Sequence, residues 1–262
     1  MKKILILILI SIFSISAAAH SNEEIERELI GLLGEVEKYS SYSGEYSDER
    51  DAKLASANKA FRAGLLKHTS QHASLLSYPF PELRKKMAIE TAPDGNLRVY
   101  SWDTLTGGTM HMYDNVYQFR GVEGVYSTGS FYQEGDAGSF VNDVFNIDTR
   151  TGTVYLIAST SVLSSSLRGQ SVAAFQIDGN QLSDGVKIFK TKERTSSIGF
   201  GYDFFTVVDR KERPVRLFVY DPKSKSLSFP VVVEDNKTPQ GRVTSANIRY
   251  RFNGTHFVRV KN

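Results

Sequence analysis

The spacing of hydrophobic residues along the chain changes from a helical period to a strand period near Lys86. Before that point, two stretches repeat at intervals of three and four residues, which predicts two amphipathic helices. Ser21 or Asn22 is a suitable cap for the first helix, and Ser47 for the second. The apolar positions are Ile25, Leu29, Leu32, Leu33 and Val36 in the first stretch, and Leu54, Phe61, Leu65 and Leu66 in the second.

After residue 86 hydrophobic and polar residues alternate, which is typical of strands. Residues 87–91 and 97–102 flank Pro93-Asp94-Gly95-Asn96, which predicts a β-hairpin with Gly95 at a position that needs positive φ. Many short strands follow without a helix between them, so the connections must be hairpins and the sheet antiparallel. Pro79 and Pro81 separate the two halves, because proline cannot continue a helix.

The repeated pattern apolar, any residue, apolar, then Asp or Asn suggests how the strands are grouped. It ends at Asp148, Asp178, Asp221 and Asn253, and each time a turn and another strand follow. The loose regularity favours a mainly β fold of propeller-like architecture, with a β-sandwich as the alternative. The expected fold is therefore an antiparallel β domain preceded by an α-helical hairpin.

Residues 1–19 have the pattern of a secretory signal peptide. Lys2 and Lys3 precede an apolar run, and Ala17-Ala18-Ala19 is a small-residue cleavage site. We expect cleavage after Ala19 and a soluble periplasmic or secreted protein. The expected organisation is then a helical segment over 20–78 and an antiparallel β domain over 79–262.

Charge and cysteine content narrow the function classes. Lys2 and Lys3 account for two of the 32 basic residues, so the remaining 30 nearly balance the 29 acidic ones. This balance gives no indication of nucleic-acid binding. The chain has no cysteine, which excludes disulfides and thiolate metal sites. No stretch after the signal approaches the ~20 apolar residues of a membrane span.

The stretch from Asp94 to His111 holds the strongest candidates for chemistry. His111 follows Gly107-Gly108-Thr109-Met110 and lies near Asp103 and Asp114 in the sequence. One imidazole and two carboxylates at one end of a hairpin could perform general acid–base chemistry or form half of a metal site. The alternative is a structural loop in which the glycines supply the turn and His111 bonds to the backbone.

Three aromatic residues form a second candidate set. Trp102, Tyr113 and Tyr117 lie in or near the same strands, where exposed rings could stack on sugars or on a partner protein. The alternative is that they belong to the core, as most aromatic residues in strands do.

Two further sets are weaker. His68 and His72 lie four residues apart, on one face of a helix, but no third ligand is recognisable, so we expect no metal site. Glu134 and Asp136 are paired carboxylates such as a glycosidase uses, but the favoured interpretation is a solvated loop. Motifs for serine hydrolases and for nucleotide binding are absent from the sequence.

The central stretch resembles a recurring pattern in uncharacterised exported bacterial proteins. The resemblance rests on residues 94–104, 107–111 and 116–119, and residues 78–81 and 250–254 are similar to the same group. It covers roughly the β half of the chain and implies no activity or site residue. The Asp-Gly turn before Trp102-Asp103 also resembles a propeller blade of the WD type, although the Gly-His element of such blades is absent.

Together these patterns favour a non-enzymatic binding or interaction module of the cell envelope, whose partner is an envelope protein or a glycan. The alternative is a hydrolase acting on envelope or other carbohydrate, with His111, Asp103 and Asp114, or Glu134 and Asp136, as its acid–base set. We expect no cofactor in either case.

Overall fold

The computed structural model describes residues 20–42, 47–131 and 135–260. Its helices are α1 (Asn22–Lys38) and α2 (Asp48–Gln71). At the start of α1, Ser21 and Glu24 form a capping box, and the Ser47 hydroxyl accepts a hydrogen bond from the Arg50 backbone N–H at the start of α2. Both predicted helices are confirmed. The predicted signal peptide and Glu134 lie outside the described residues.

Strands and short 3-10 helices make up most of the remaining described chain. The 3-10 helices are Ala73–Leu76, Leu83–Lys85 and Phe204–Val207. The strands are β1 (Ala88–Thr91), β2 (Leu97–Asp103), β3 (Tyr113–Arg120), β4 (Val125–Gly129), β5 (Phe140–Thr149), β6 (Gly152–Val162), β7 (Leu167–Asp178), β8 (Gln181–Ser183), β9 (Phe189–Lys190), β10 (Arg194–Thr195), β11 (Ser197–Asp203), β12 (Val219–Asp221), β13 (Ser226–Asp235), β14 (Thr238–Phe252) and β15 (Phe257–Arg259).

The strands form three sheets. The first has the order β1-β2-β3-β4, the second β11-β7-β6-β5 with β8 beside β7, and the third β10-β9-β15-β14-β13-β12. Within the described residues all strand pairs are antiparallel except β15 with β9. The predicted hairpin is present, since β1 and β2 pair across a turn in which Gly95 has φ of 72°. The mainly β, antiparallel prediction is therefore confirmed.

The described structure shows no propeller and instead contains antiparallel sheets with a curled half-barrel. A blade is built from consecutive strands, whereas β11 returns to the second sheet after β9 and β10 have joined the third. The third sheet also joins β15 to the distant β9. The Asp and Asn turns recur because each ends a strand locally, and they do not separate blades.

The first sheet packs on both of its faces. Residues such as Tyr100 and Trp102 point toward α1 and α2 and share one apolar cluster with the helices. Val99 and Tyr117 lie on the opposite face and belong to a second cluster with residues of β5, β6 and β7. Neighbouring residues of a strand point to opposite faces, so this division follows the alternation of the sequence. Neither described helix is long and apolar enough to cross a membrane.

Buried polar side chains connect the helices to the sheet. Glu26 of α1 accepts hydrogen bonds from the Leu83 backbone N–H at 2.8 Å and the Tyr78 hydroxyl at 2.9 Å. Arg98 of β2 donates to the Leu75 and Tyr78 carbonyl oxygens, both at 2.6 Å. These bonds satisfy backbone groups of the segment between α2 and β1, which forms little regular structure of its own.

Candidate functional site

A cleft of about 420 Å³ opens where the first sheet faces β5. It lies on the face of the first sheet that is turned away from the helices. The register pairs Ala88 with Ser101 and Asp103 with Tyr113, so these four side chains share that face. The lining residues are Arg84, Lys85, Lys86, Met87, Ala88, Ile89, Glu90, Ser101, Asp103, Tyr113, Phe140, Val141 and Pro214.

Asp103 and His111 form a close pair beside this cleft. The Asp103 Oδ2 atom lies 2.5 Å from His111 Nδ1, and Asp103 Oδ1 accepts the Leu105 backbone N–H at 2.9 Å. The His111 backbone N–H donates to the Val162 carbonyl oxygen at 3.0 Å. Asp103 thus both closes the turn after β2 and orients the imidazole. The His111 side chain is 36% exposed.

Aromatic rings flank the imidazole. The Tyr113 ring is stacked on it with centroids 6.2 Å apart, and the Tyr42 ring lies at 5.6 Å. Tyr113 also packs against Phe140 at 5.2 Å, which extends the aromatic wall into the cleft. Burial and the nearby charge of Asp103 raise the pKa of both tyrosine hydroxyls, so they remain protonated hydrogen-bond donors at neutral pH.

Further charges surround the cleft. Burial raises the pKa of the Glu90 carboxyl, and the positive charges of Arg84 and Arg216 oppose that shift. The Arg216 Nη2 atom lies 3.9 Å from Glu90 Oε1, and Arg216 likewise opposes the burial that raises the pKa of Asp143. Lys86 is paired outside the cleft, with its Nζ 2.6 Å from Glu37 Oε2. The cleft lining therefore combines the partly desolvated carboxylate of Glu90 with the guanidinium of Arg84.

Asp114 does not join His111, although the sequence places it equally near. It follows Tyr113 in β3 and pairs with Trp102, so it lies on the helix-facing side of the sheet. There it lies 3.6 Å from Arg62 of α2 and accepts a hydrogen bond from the Ser130 hydroxyl. The structure therefore brings Asp103, but not Asp114, together with His111, because adjacent strand residues point to opposite faces.

Two of the three proposed aromatic binding residues are core residues. Trp102 is 1% exposed, its ring packs edge-on against Phe61 at 5.0 Å, and its Nε1–H donates to Asn58 Oδ1 at 3.1 Å. Tyr117 is 3% exposed and contacts Phe175. The prediction of an exposed stacking surface at Trp102 and Tyr117 is corrected by this burial. Tyr113 does line the cleft.

The remaining sequence candidates stay apart from the cleft. The rings of His68 and His72 lie 6.0 Å apart, with His68 Nε2 3.1 Å from Glu28 Oε2. In the part of the chain that the structure describes, no three histidine, aspartate or glutamate side chains are placed to hold a metal ion. Asp136 is exposed on its loop. Its proposed pairing with Glu134 concerns a residue outside the described ranges.

Glu90, Ser101 and Phe140 were missed as site residues by the sequence reasoning. For Glu90 and Ser101 a signal existed, because the Gly95 turn fixes the register of β1 against β2 and so places both on the face of Asp103. Phe140 gives no such signal, since it reaches the cleft only through packing of the second sheet against the first.

No family model, curated protein or solved structure matches this chain.

The loop that carries His111 allows a sharp test of the geometry. A Cβ atom at Gly107 would lie 2.0 Å from the Met110 carbonyl oxygen, whereas one at Gly108 would meet nothing within 4 Å. We expect Gly107→Ala to rearrange residues 107–111 and displace the His111 ring, because backbone cannot yield as a flexible side chain can. Gly108→Ala is the matched control and leaves the loop unchanged. The ¹H–¹⁵N spectrum of histidine-labelled protein checks this, and equal His111 shifts in both variants would contradict it.

Proposed function

We propose that the protein is an exported binding module of the cell envelope, periplasmic or secreted, whose cleft beside Asp103 and Tyr113 takes a glycan. The single observation that carries the proposal is the composition of the cleft. It brings the Tyr113 and Phe140 rings together with the carboxylates of Glu90 and Asp103 and the guanidinium of Arg84.

Each part of that composition matches a feature of sugars. The C–H faces of a pyranose ring pack against aromatic rings, which present large apolar surfaces. Its hydroxyl groups both donate and accept hydrogen bonds, so carboxylates and guanidinium groups can fix its orientation. The volume of about 420 Å³ falls within the usual range of small-ligand sites. The resemblance of the chain to uncharacterised exported proteins supports a location in the cell envelope.

A hydrolase acting on carbohydrate is the second candidate. It is favoured by one observation, the 2.5 Å contact between Asp103 Oδ2 and His111 Nδ1 beside the cleft. Such a contact orients an imidazole as general acid–base catalysis requires.

Glycan binding is tested by a glycan array of envelope polysaccharides, followed by calorimetry with the strongest ligand. Tyr113→Leu keeps apolar volume but removes the aromatic face, so we expect affinity to fall about 3- to 10-fold, the equivalent of one aromatic contact. Tyr220→Leu is the matched control, because Tyr220 is also half-buried in a strand but lies in the third sheet. Absence of any glycan ligand, or an equal loss in both variants, would contradict the proposal.

A further inference from the structure

We propose that Asp103 and His111 form an acid–base pair that hydrolyses O-acyl esters on the glycan held in the cleft. The inference rests on the proposed glycan site and adds the reaction class and the two catalytic residues. The pair lies beside the cleft, and one member, Asp103, lines it.

The pair favours an acyl ester over a glycosidic bond. Glycoside hydrolysis uses two carboxyl groups on opposite sides of the bond that is cleaved, commonly about 5 to 9.5 Å apart. Here one carboxylate oxygen of Asp103 is hydrogen-bonded to His111 Nδ1, and the other accepts a hydrogen bond from the Leu105 backbone N–H. The carboxylate therefore orients the base, and the imidazole is the group that exchanges protons with the substrate. That division of roles is the one used in acyl transfer.

The available imidazole atom is Nε2. In the tautomer that carries its proton on Nδ1 and donates it to Asp103, the lone pair lies on Nε2. Within the described residues Nε2 makes no hydrogen bond to the protein, while the side chain is 36% exposed. The rings of Tyr42 and Tyr113 both pack against the imidazole and restrict its orientation. The ring is thus oriented on one side and accessible to water on the other.

Water is the nucleophile that this arrangement supports. Ser101 is the serine hydroxyl that lines the cleft, but it is 1% exposed and accepts the Val141 backbone N–H at 3.0 Å. The sequence also lacks the Gly-x-Ser-x-Gly turn that presents a nucleophilic serine. An attacking water requires a base within hydrogen-bond reach, and we assign that role to Nε2 of His111, whose partner Asp103 lines the cleft.

The reaction balances with ester and water alone. Nε2 of His111 takes a proton from water as the water oxygen bonds to the acyl carbon. The resulting tetrahedral intermediate breaks the bond between the acyl carbon and the sugar oxygen. The imidazolium then returns its proton to that oxygen, which leaves a carboxylic acid and a free sugar hydroxyl. Asp103 stabilises the imidazolium throughout and keeps its own charge.

The experiment incubates the protein without residues 1–19 with each of two probes, 4-nitrophenyl acetate and an O-acetylated xylo-oligosaccharide. Acetate release is measured. We expect His111→Gln to lower kcat/KM about 10²- to 10⁴-fold, the usual contribution of a general base. Asp103→Asn keeps the oxygen that accepts the Leu105 N–H, so the turn is retained while the orienting charge is lost. We expect it to lower kcat/KM as well. His256→Gln, a histidine of the third-sheet region, is the matched control and leaves the rate unchanged.

The pH profile separates catalysis from a structural role. The wild-type rate falls on acidification, because a protonated imidazole cannot accept a proton from water, whereas the residual rate of His111→Gln lacks this dependence. Circular dichroism of the same preparations serves as the check on folding. An oligosaccharide that binds but releases no acetate, with 4-nitrophenyl acetate also unhydrolysed, overturns the inference and leaves the binding function standing. Hydrolysis that persists in His111→Gln overturns it as well. Failure to bind any glycan overturns the binding function instead.

Discussion

Trp102→Ala lowers the free energy of unfolding by about 3–5 kcal/mol, the usual cost of removing a large buried aromatic side chain. Its ring contacts Phe61 at the interface of α2 with the first sheet, and its indole N–H is the donor to Asn58 Oδ1. Truncation therefore leaves a cavity and a half-buried acceptor that has lost its donor. Urea denaturation followed by circular dichroism measures the change.

Trp102→Phe is the control for this prediction. It keeps most of the ring volume and removes the hydrogen bond, so a smaller loss of about 1–2 kcal/mol is expected. A variant that unfolds at the wild-type urea concentration but no longer binds glycan would contradict the core assignment. Trp102 would then act at a ligand surface.

Arg98→Met is the second large effect and lowers the free energy of unfolding by about 2–4 kcal/mol. The Arg98 side chain is 4% exposed and donates to Leu75 and Tyr78 carbonyl oxygens and to the Thr91 hydroxyl. Methionine fills a similar volume but donates nothing, and a buried acceptor without a donor costs about 1–3 kcal/mol. The Leu75 oxygen retains a donor in the Tyr100 hydroxyl, which limits the total.

Arg120→Met provides the comparison for Arg98, because Arg120 is exposed at the end of β3. A surface substitution of this kind changes stability by less than about 0.5 kcal/mol. Thermal and urea unfolding of both variants measure the difference. Equal stability of the two variants would show that the hydrogen bonds of Arg98 contribute little to the fold.

These two predictions bear on the cleft as well as on stability. Trp102 and Arg98 lie on the helix-facing side of β2, whereas Asp103 and Ser101 lie on the cleft side. Contacts on the helix-facing side of β2 thus hold in place the strand that carries the candidate site. Substitution of Trp102 or Arg98 therefore lowers glycan binding only in proportion to the loss of folded protein. Substitution of Tyr113 or His111, in contrast, acts on the site within the folded protein.

Several site features were accessible from sequence. The spacing of Gly107-Gly108 and His111 after Asp103 indicated a loop that could return an imidazole to a carboxylate, and the structure places these two side chains in contact. The alternation rule also implies that Trp102 and Asp103 point to opposite faces. Sequence could not assign either residue to the core or the cleft, since both faces of the sheet are covered by other parts of the chain.

By itself, the sequence determined the two helices with their caps, the Gly95 hairpin, and the mainly antiparallel β character. These follow from hydrophobic period, capping chemistry and turn geometry, which act over a few residues. The tertiary structure alone decided that α2 covers the side with Trp102, that Arg62 of α2 lies by Asp114, and that Phe140 and Pro214 complete the cleft. It also decided the grouping of strands into three sheets instead of blades. Those outcomes depend on contacts between distant segments, whose packing no local pattern encodes.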